Sequence, residues 1–120
     1  MKIERFQNEV KDLVINRTLD EIVGQELEQL GEVLIQEERS GIGSTDAGNV
    51  SHVIPTTHAY IKIGPPDLVA HTPEFREASA STKGDEALII GAKALALAGL
   101  QLLENPELLA KVKEDFIQNH

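Results

Sequence analysis

The segment ALIIGAKALALAGLQLL, Ala87–Leu103, is the most apolar part of the sequence and predicts a long helix. Apolar residues occupy nearly every face of this helix, and a helix of that kind is normally covered on more than one side. Asp85 or Thr82 can cap its N-terminus. The segment is shorter than the roughly 20 residues needed to span a bilayer and carries Lys93 near its middle, so we expect a buried helix and no membrane partner.

Amphipathic helices are predicted on both sides of this segment. Apolar residues recur at spacings of three and four from Ile3 to Val14 and again from Thr18 to Gly31, which predicts a helical lead-in within residues 1–38. Whether the chain breaks at Thr18 is left open, as is the choice between a strand and a helical turn at Val33–Ile35. Asn105 followed by Pro106 predicts the start of a last amphipathic helix, so residues 82–118 form the helical C-terminal part.

Residues 39–75 have a different composition. Residues 40–51 read SGIGSTDAGNVS, a polar loop with three glycines that can approach a ligand closely. Residues 52–63, HVIPTTHAYIKI, alternate in a way that predicts a strand. The chain is therefore expected to be a single α/β unit of residues 1–120, with helices packed on a short sheet.

Composition excludes several classes of function. The chain has 120 residues, no cysteine and a formal net charge of -9, with 20 acidic against 11 basic residues. Nucleic acids and anionic membranes would require clustered Lys and Arg. Disulfide frameworks, thiolate metal sites and cysteine nucleophiles are absent from a cysteine-free chain. Because the sequence shows no targeting segment at its start, a cytoplasmic location is expected.

Residues able to carry chemistry cluster in the polar loop and the segment that follows it. They are Asp46, Asn49, Ser51, His52, His58, His71 and Glu74. Imidazoles and carboxylates are the ligands of zinc hydrolases, but no HExxH or similar local ligand spacing is present. The alternative is that these residues serve only to cap helices and form turns. The glycines match neither a serine-nucleophile motif nor a nucleotide-binding motif.

The motifs GSTDAGNVSH at residues 43–52, Pro55, His58 and HTPEF at residues 71–75 resemble a known family. They are similar to the C-terminal part of the dinuclear zinc amidohydrolases and peptidases, which include aminoacylase and glutamate carboxypeptidase. The sequences of these motifs most resemble the branch of p-aminobenzoyl-glutamate hydrolase. The resemblance implies the C-terminal portion of a three-layer αβα catalytic domain and a complete enzyme with two zinc ions.

The resemblance also implies roles for individual residues. His71 corresponds to the last metal ligand, and Glu74 to a residue that supports the metal site without binding the metal. Gly43, Asp46, Gly48 and Asn49 correspond to the loop that lines the substrate pocket. For His52 and His58 it implies no catalytic role, and a hydrogen-bonded structural histidine is the favoured interpretation.

The remaining metal ligands and the general base of the family have no counterpart in these residues. The chain is therefore expected to be the C-terminal segment of an enzyme that hydrolyses dipeptides, N-acyl amino acids or p-aminobenzoyl-glutamate, and to be inactive alone. The alternative is a non-catalytic module that associates with itself through the apolar helix. A homo-oligomer is expected in either case.

Overall fold

The computed structural model describes Glu4, residues 8–35 and residues 44–119. Within these ranges every regular element is a helix. The helices are α1 (Arg17–Gln29), α2 (Ala47–Ser51), α3 (Pro73–Ser79), α4 (Thr82–Glu104) and α5 (Pro106–Gln118). Helix α4 is the centre of the arrangement, and α1, α3 and α5 all contact it.

The predicted α/β fold with a short sheet is therefore wrong for the described part of the chain. Only residues 60–63 alternate, since Ile61 and Ile63 are half-buried while Tyr60 and Lys62 are exposed, whereas Ala59 is exposed like its neighbours His58 and Tyr60. A strand also requires a neighbouring backbone to accept and donate its hydrogen bonds. No such backbone lies beside residues 56–63 among the described residues, so the alternation reports which side chains face the core and nothing more.

The core forms where α1 meets α4 and α5. Ile22, Val23 and Leu27 of α1 are buried against Ala94 and Ala98 of α4, and Val112 of α5 closes the cluster. Alanine side chains are short, so the face of α4 that meets α1 is flat and admits the larger side chains of α1. The apolar face of the amphipathic pattern that predicts α1 is thus the face that contacts α4 and α5.

Helix α4 is longer than its apolar segment suggests. It has 23 residues and begins after Ser81, whose hydroxyl oxygen accepts a hydrogen bond from the Gly84 N–H, so neither Asp85 nor Thr82 is the capping residue. By length and composition alone, α4 is the one helix in the described ranges that could cross a membrane. The sequence pattern excludes a membrane partner partly because the apolar segment is too short to span a bilayer. Helix α4 as a whole is long enough, so its length does not support that exclusion.

Two asparagines cap the helices on either side of α4. Asn16, rather than Thr18, caps α1: its side-chain oxygen accepts from the Leu19 N–H, and its amide donates to the Val112 carbonyl of α5, both at 2.9 Å. Asn16 is only 2% exposed and so fixes the start of α1 against α5. The predicted cap of the last helix is confirmed, because the Asn105 side chain accepts from the Leu108 N–H.

The end of α1 also agrees with the sequence pattern. Gly31 follows the helix with a φ of 95°, a backbone conformation that residues with a Cβ rarely adopt. The predicted helix at Ile3–Val14 is different: residues 8–14 are not helical, and residues 1–3 and 5–7 lie outside the described part of the chain. Residues 33–35 are neither strand nor helix.

Asp20, in the first turn of α1, gives the stability of the protein a pH dependence. Desolvation of the carboxyl group and the nearby Asp115 carboxylate raise its pKa above the ordinary value of 3.8, and the Thr57 hydroxyl opposes them. A raised pKa in the folded state means that the ionised form opposes folding. This cost is present at neutral pH and is relieved as the pH falls through the folded pKa toward 3.8.

We therefore expect Asp20→Asn to raise the free energy of unfolding at pH 7, by less than about 0.5 kcal/mol because the site is at the surface. The gain should shrink as the pH is lowered. Urea unfolding at pH 7 and at a lower pH measures this gain in the free energy of unfolding. Glu21→Gln is the control, because it removes a carboxylate from the same turn. A gain that stays constant or grows toward low pH would contradict this origin of the effect.

Candidate functional site

Helix α2 lies inside the predicted pocket loop and holds the segment of residues 9–14. The Asn49 side chain makes two hydrogen bonds with the backbone on either side of Val10. Its oxygen accepts from the Lys11 N–H at 2.9 Å, and its amide donates to the Glu9 carbonyl at 2.7 Å. The carboxamide oxygen accepts and the carboxamide nitrogen donates, so Asn49 bonds to this segment in the way that the peptide groups of a neighbouring strand would. It also explains why residues 9–14 do not form the predicted helix.

Gly48 allows this close approach. The residue is buried, and a Cβ atom at its position would overlap the Lys11 carbonyl oxygen and lie 3.0 Å from the Asp12 carbonyl oxygen. Both contacts are with backbone, which cannot rotate away as a flexible side chain could. Glycine is therefore required here for space rather than for an unusual φ angle.

Ser51 and His52 extend the contact along the same segment. The Ser51 hydroxyl, 1% exposed, accepts from the Val14 N–H at 2.9 Å and donates to the Gly48 carbonyl at 2.6 Å. The His52 Nε2 atom lies 3.2 Å from both the backbone and side-chain oxygens of Asp12. Sequence reasoning gives no role to Ser51. Its bond to Gly48 is local, but no local pattern could have indicated the bond from Val14, which is 37 residues away in sequence.

The predicted pocket residues thus have different surroundings. Gly48 and Asn49 contact the protein's own backbone, Gly48 because it lacks a Cβ and Asn49 through its carboxamide, so both organise the fold of the loop. Asp46 stands at the start of α2, is exposed, and makes no capping hydrogen bond with its side chain. Gly43 lies outside the described residues. Of the predicted set, Asp46 is the described residue whose side chain faces solvent.

His71 lies in the turn that leads into α3. Its φ of 66° makes it the one non-glycine residue with a positive φ among those the structure describes, and its side chain is exposed. Such a backbone conformation costs of order 1 kcal/mol in a residue with a Cβ and is found disproportionately at functional sites. Thr72 stabilises the turn: its hydroxyl donates to the Val69 carbonyl and accepts from the Phe75 N–H.

Glu74 and His58 are also exposed. Glu74 occupies the first turn of α3, where a negative charge interacts favourably with the helix dipole. His58 contacts the Tyr60 ring edge-on, with ring centroids 5.0 Å apart. Neither residue has His71 as a hydrogen-bond partner in the described part of the chain.

The described residues do not assemble a metal site. No group of three or more His, Asp or Glu side chains comes close enough to hold an ion within the ranges the structure covers. Two open clefts, of about 580 and 590 Å³, lie elsewhere: mainly leucines of α4 and α5 line the first, and mainly polar residues of α1, α4 and α5 line the second. Neither cleft contains His71 or a residue of α2. The donor set therefore does not fit a resident zinc ion.

Known proteins similar to this chain are dipeptidases. No protein-family model matches it. It is 43% identical over 74 residues to the Xaa-Arg dipeptidase of Homo sapiens, a match that covers 62% of this chain and 17% of that protein. It is 34% identical over 117 residues to the Xaa-Arg dipeptidase of Mus musculus, which covers 95% of this chain and 27% of that protein.

The alignment with the mouse protein covers nearly all of this chain, so the similarity extends beyond the loop and histidine motifs. The chain spans about a quarter of the length of that relative. Neither match supports a particular branch of the amidohydrolases. The chain is thus similar, over nearly its whole length, to part of the Xaa-Arg dipeptidases, and this similarity supports its place in the peptidase superfamily.

Proposed function

We propose that this chain contributes to dipeptide hydrolysis by supplying the substrate-pocket loop and one metal ligand, His71, of a metal-dependent dipeptidase. The observation that carries the proposal is the 34% identity to a dipeptidase over 117 residues. His71 is exposed, so its imidazole is accessible to residues and ions from outside this chain. Asp46 is exposed at the start of α2 and is the pocket residue best placed to meet a substrate.

Charge bears on the substrate class. A dipeptide that ends in arginine carries a cationic side chain, whereas p-aminobenzoyl-glutamate is anionic. The chain has a net charge of -9, and the summed field of such a chain attracts cations and repels anions. Arginine-containing dipeptides are therefore the substrates we propose first. N-acyl amino acids and p-aminobenzoyl-glutamate are the alternatives from the family resemblance.

The chain's own residues can position a substrate but cannot complete the reaction. A zinc hydrolase holds each metal with several protein ligands and activates a water with a general base. The described residues do not supply a cluster of three metal ligands. What they supply is a loop held rigid by Asn49 and Ser51, with Asp46 at its exposed end.

We therefore expect the isolated chain, supplied with zinc, to show no turnover of arginine-containing dipeptides or p-aminobenzoyl-glutamate above a His71→Ala variant. Release of free arginine or p-aminobenzoate measures the reaction. Zinc-dependent turnover that disappears in His71→Ala would show a complete active site and contradict the proposed division of the catalytic residues.

A second candidate function is a non-catalytic module that associates with itself. It is favoured by α4, whose large apolar side chains are exposed: Leu88 is 69%, Leu95 58% and Leu103 83% exposed. A surface of this kind marks an interaction site in a protein that stays in solution. The two functions differ in an assay, because a module requires neither His71 nor a metal.

A further inference from the structure

The polar cleft lies where α1 and α5 run antiparallel beside α4. The Thr18 N–H donates to the Asp115 carboxylate at one end, and Leu108 packs against the core cluster that contains Ile22 at the other. The cleft has a volume of about 590 Å³, within the roughly 300–1,000 Å³ typical of small-molecule sites. It contains no residue of α2 and does not contain His71, so the proposed catalytic role makes no use of it.

Each wall of the cleft carries charges of both signs. Arg17 and Glu21 lie four residues apart on one stripe of α1, and Lys111 and Glu114 lie three residues apart on one stripe of α5. All four side chains are exposed, and none forms an ion pair with another residue in the described part of the chain. Opposite charges thus share the cleft without pairing with one another.

A buried carboxylate fixes the polar group at the floor of the cleft. Glu26 is only 4% exposed and accepts a hydrogen bond from the side-chain amide of Gln101. Because a carboxylate can only accept, Gln101 must turn its nitrogen toward Glu26, which leaves its Oε1 atom to accept from elsewhere. Gln101 is half-buried and lines the cleft, and its Oε1 has no hydrogen-bond partner among the residues that the structure describes. The floor therefore offers an oriented acceptor to a ligand that carries N–H donors.

We propose that this cleft binds a free amino acid with a cationic side chain, of which arginine is the best match. The cleft contains three carboxylates and two cationic groups: Glu21, Glu114, Asp115, Arg17 and Lys111. Arginine carries one carboxylate and two cationic groups, so its charges complement those of the cleft in sign and in excess. Its guanidinium group offers five N–H donors to the carboxylates and to the acceptor at the floor.

The inference goes beyond the proposed dipeptidase function. The proposed reaction would release an amino acid of this kind, but the argument for binding rests on the cleft alone. Failure of the chain to support hydrolysis would therefore leave the binding site to be tested by itself.

Chemical-shift titration of the isotope-labelled full chain with L-arginine tests the proposal, against a sodium chloride blank of equal ionic strength. We expect saturable shifts at backbone amides around the cleft, with a Kd of roughly 1 mM because the open cleft leaves the charges partly solvated. Agmatine lacks the carboxylate and also represents the arginine side chain of a polypeptide. L-Citrulline has the same shape but a neutral urea group. Both should bind about twofold to fivefold more weakly than L-arginine.

Substitution of a cleft lysine distinguishes the two charges of the ligand. Lys111→Gln should weaken binding of L-arginine about twofold to fivefold, because the ligand carboxylate loses a partner. The same variant should strengthen binding of agmatine, which has no carboxylate and is only repelled by the lysine. Lys113→Gln is the matched control at an exposed position of α5 that does not line the cleft, and it should change neither affinity. Circular dichroism confirms that both variants keep their helices.

Three outcomes would overturn the proposal. Shifts that are absent, or that rise without saturation over the whole surface, would show at most adsorption of a cation to an acidic protein. Agmatine that binds as tightly as L-arginine would assign the cleft to arginine side chains of a polypeptide partner. Equal effects of Lys111→Gln and Lys113→Gln would show that the net charge of the chain, and not the cleft, attracts the ligand.

Discussion

Replacing Gly48 by alanine is expected to destabilise the protein by about 2–3 kcal/mol, the upper part of the range for overpacked sites. The added Cβ would overlap the Lys11 carbonyl oxygen, far inside van der Waals contact. The clash is with backbone, so relief requires residues 9–14 to move away from α2. That movement breaks the hydrogen bonds that Asn49 and Ser51 make with the Lys11 and Val14 N–H groups.

Urea unfolding measures the loss of stability, and amide hydrogen exchange at Lys11 and Val14 measures the detachment. Gly91→Ala is the matched control, because no atom lies within 4 Å of the position that a Cβ would take at this residue of α4. Alanine favours the helix over glycine there, so this variant should be more stable by about 0.5–1 kcal/mol. A Gly48→Ala protein with parental stability and parental exchange at Lys11 would refute the close approach.

The helices could be predicted from the sequence where their signals are local. The apolar periods of α1 and α5, Gly31 after α1 and the Asn105-Pro106 start of α5 are all contained within a few residues. Helix α3 is not among the predicted helices, although Thr72-Pro73-Glu74 has the form of a helix start, because the family resemblance assigns this short segment to the metal site instead.

The prediction of a sheet is wrong for the described part of the chain, and residues 8–14 of the predicted first helix are not helical. An alternating or periodic pattern shows which residues can face a core, but a strand forms only where a second backbone lies beside it. Residues 56–63 lack that neighbour in the described part of the chain. Residues 9–14 have helical periodicity, but the side chains of Asn49 and Ser51 occupy their N–H groups from some 40 residues away.

The candidate site was predictable only as a set of residue types. The sequence indicates a polar loop, in which Gly48 and Asn49 make close contacts with the backbone, while their role in a substrate pocket stays a prediction. Their contacts with residues 9–14 depend on long-range packing, which no local spacing encodes. The left-handed backbone at His71 is likewise invisible in the sequence, since histidine is not a residue that turn rules require at such a position.

If His71 is a metal ligand, His71→Ala should cause a large loss of activity in a protein that contains the remaining catalytic residues. We would replace the region of the mouse Xaa-Arg dipeptidase that aligns with this chain, 117 residues long, by the present sequence. The chimera is expected to hydrolyse arginine-containing dipeptides. Mutation of a residue that only orients a metal ligand typically lowers metal affinity or activity roughly 10–100-fold. His71→Ala, which removes the ligand itself, should therefore lower the activity of the chimera roughly 100-fold or more.

His58→Ala in the same chimera is the matched control. His58 is an exposed histidine 13 positions earlier that contacts only the Tyr60 ring among the aromatic side chains described, and we expect its loss to leave turnover and metal content nearly unchanged. Metal content, measured after dialysis, separates loss of a ligand from a change in the substrate pocket: His71→Ala should lose metal and activity together. A folded His71→Ala chimera that keeps both would show that His71 is not a ligand, and its exposed, left-handed turn would then serve only to start α3.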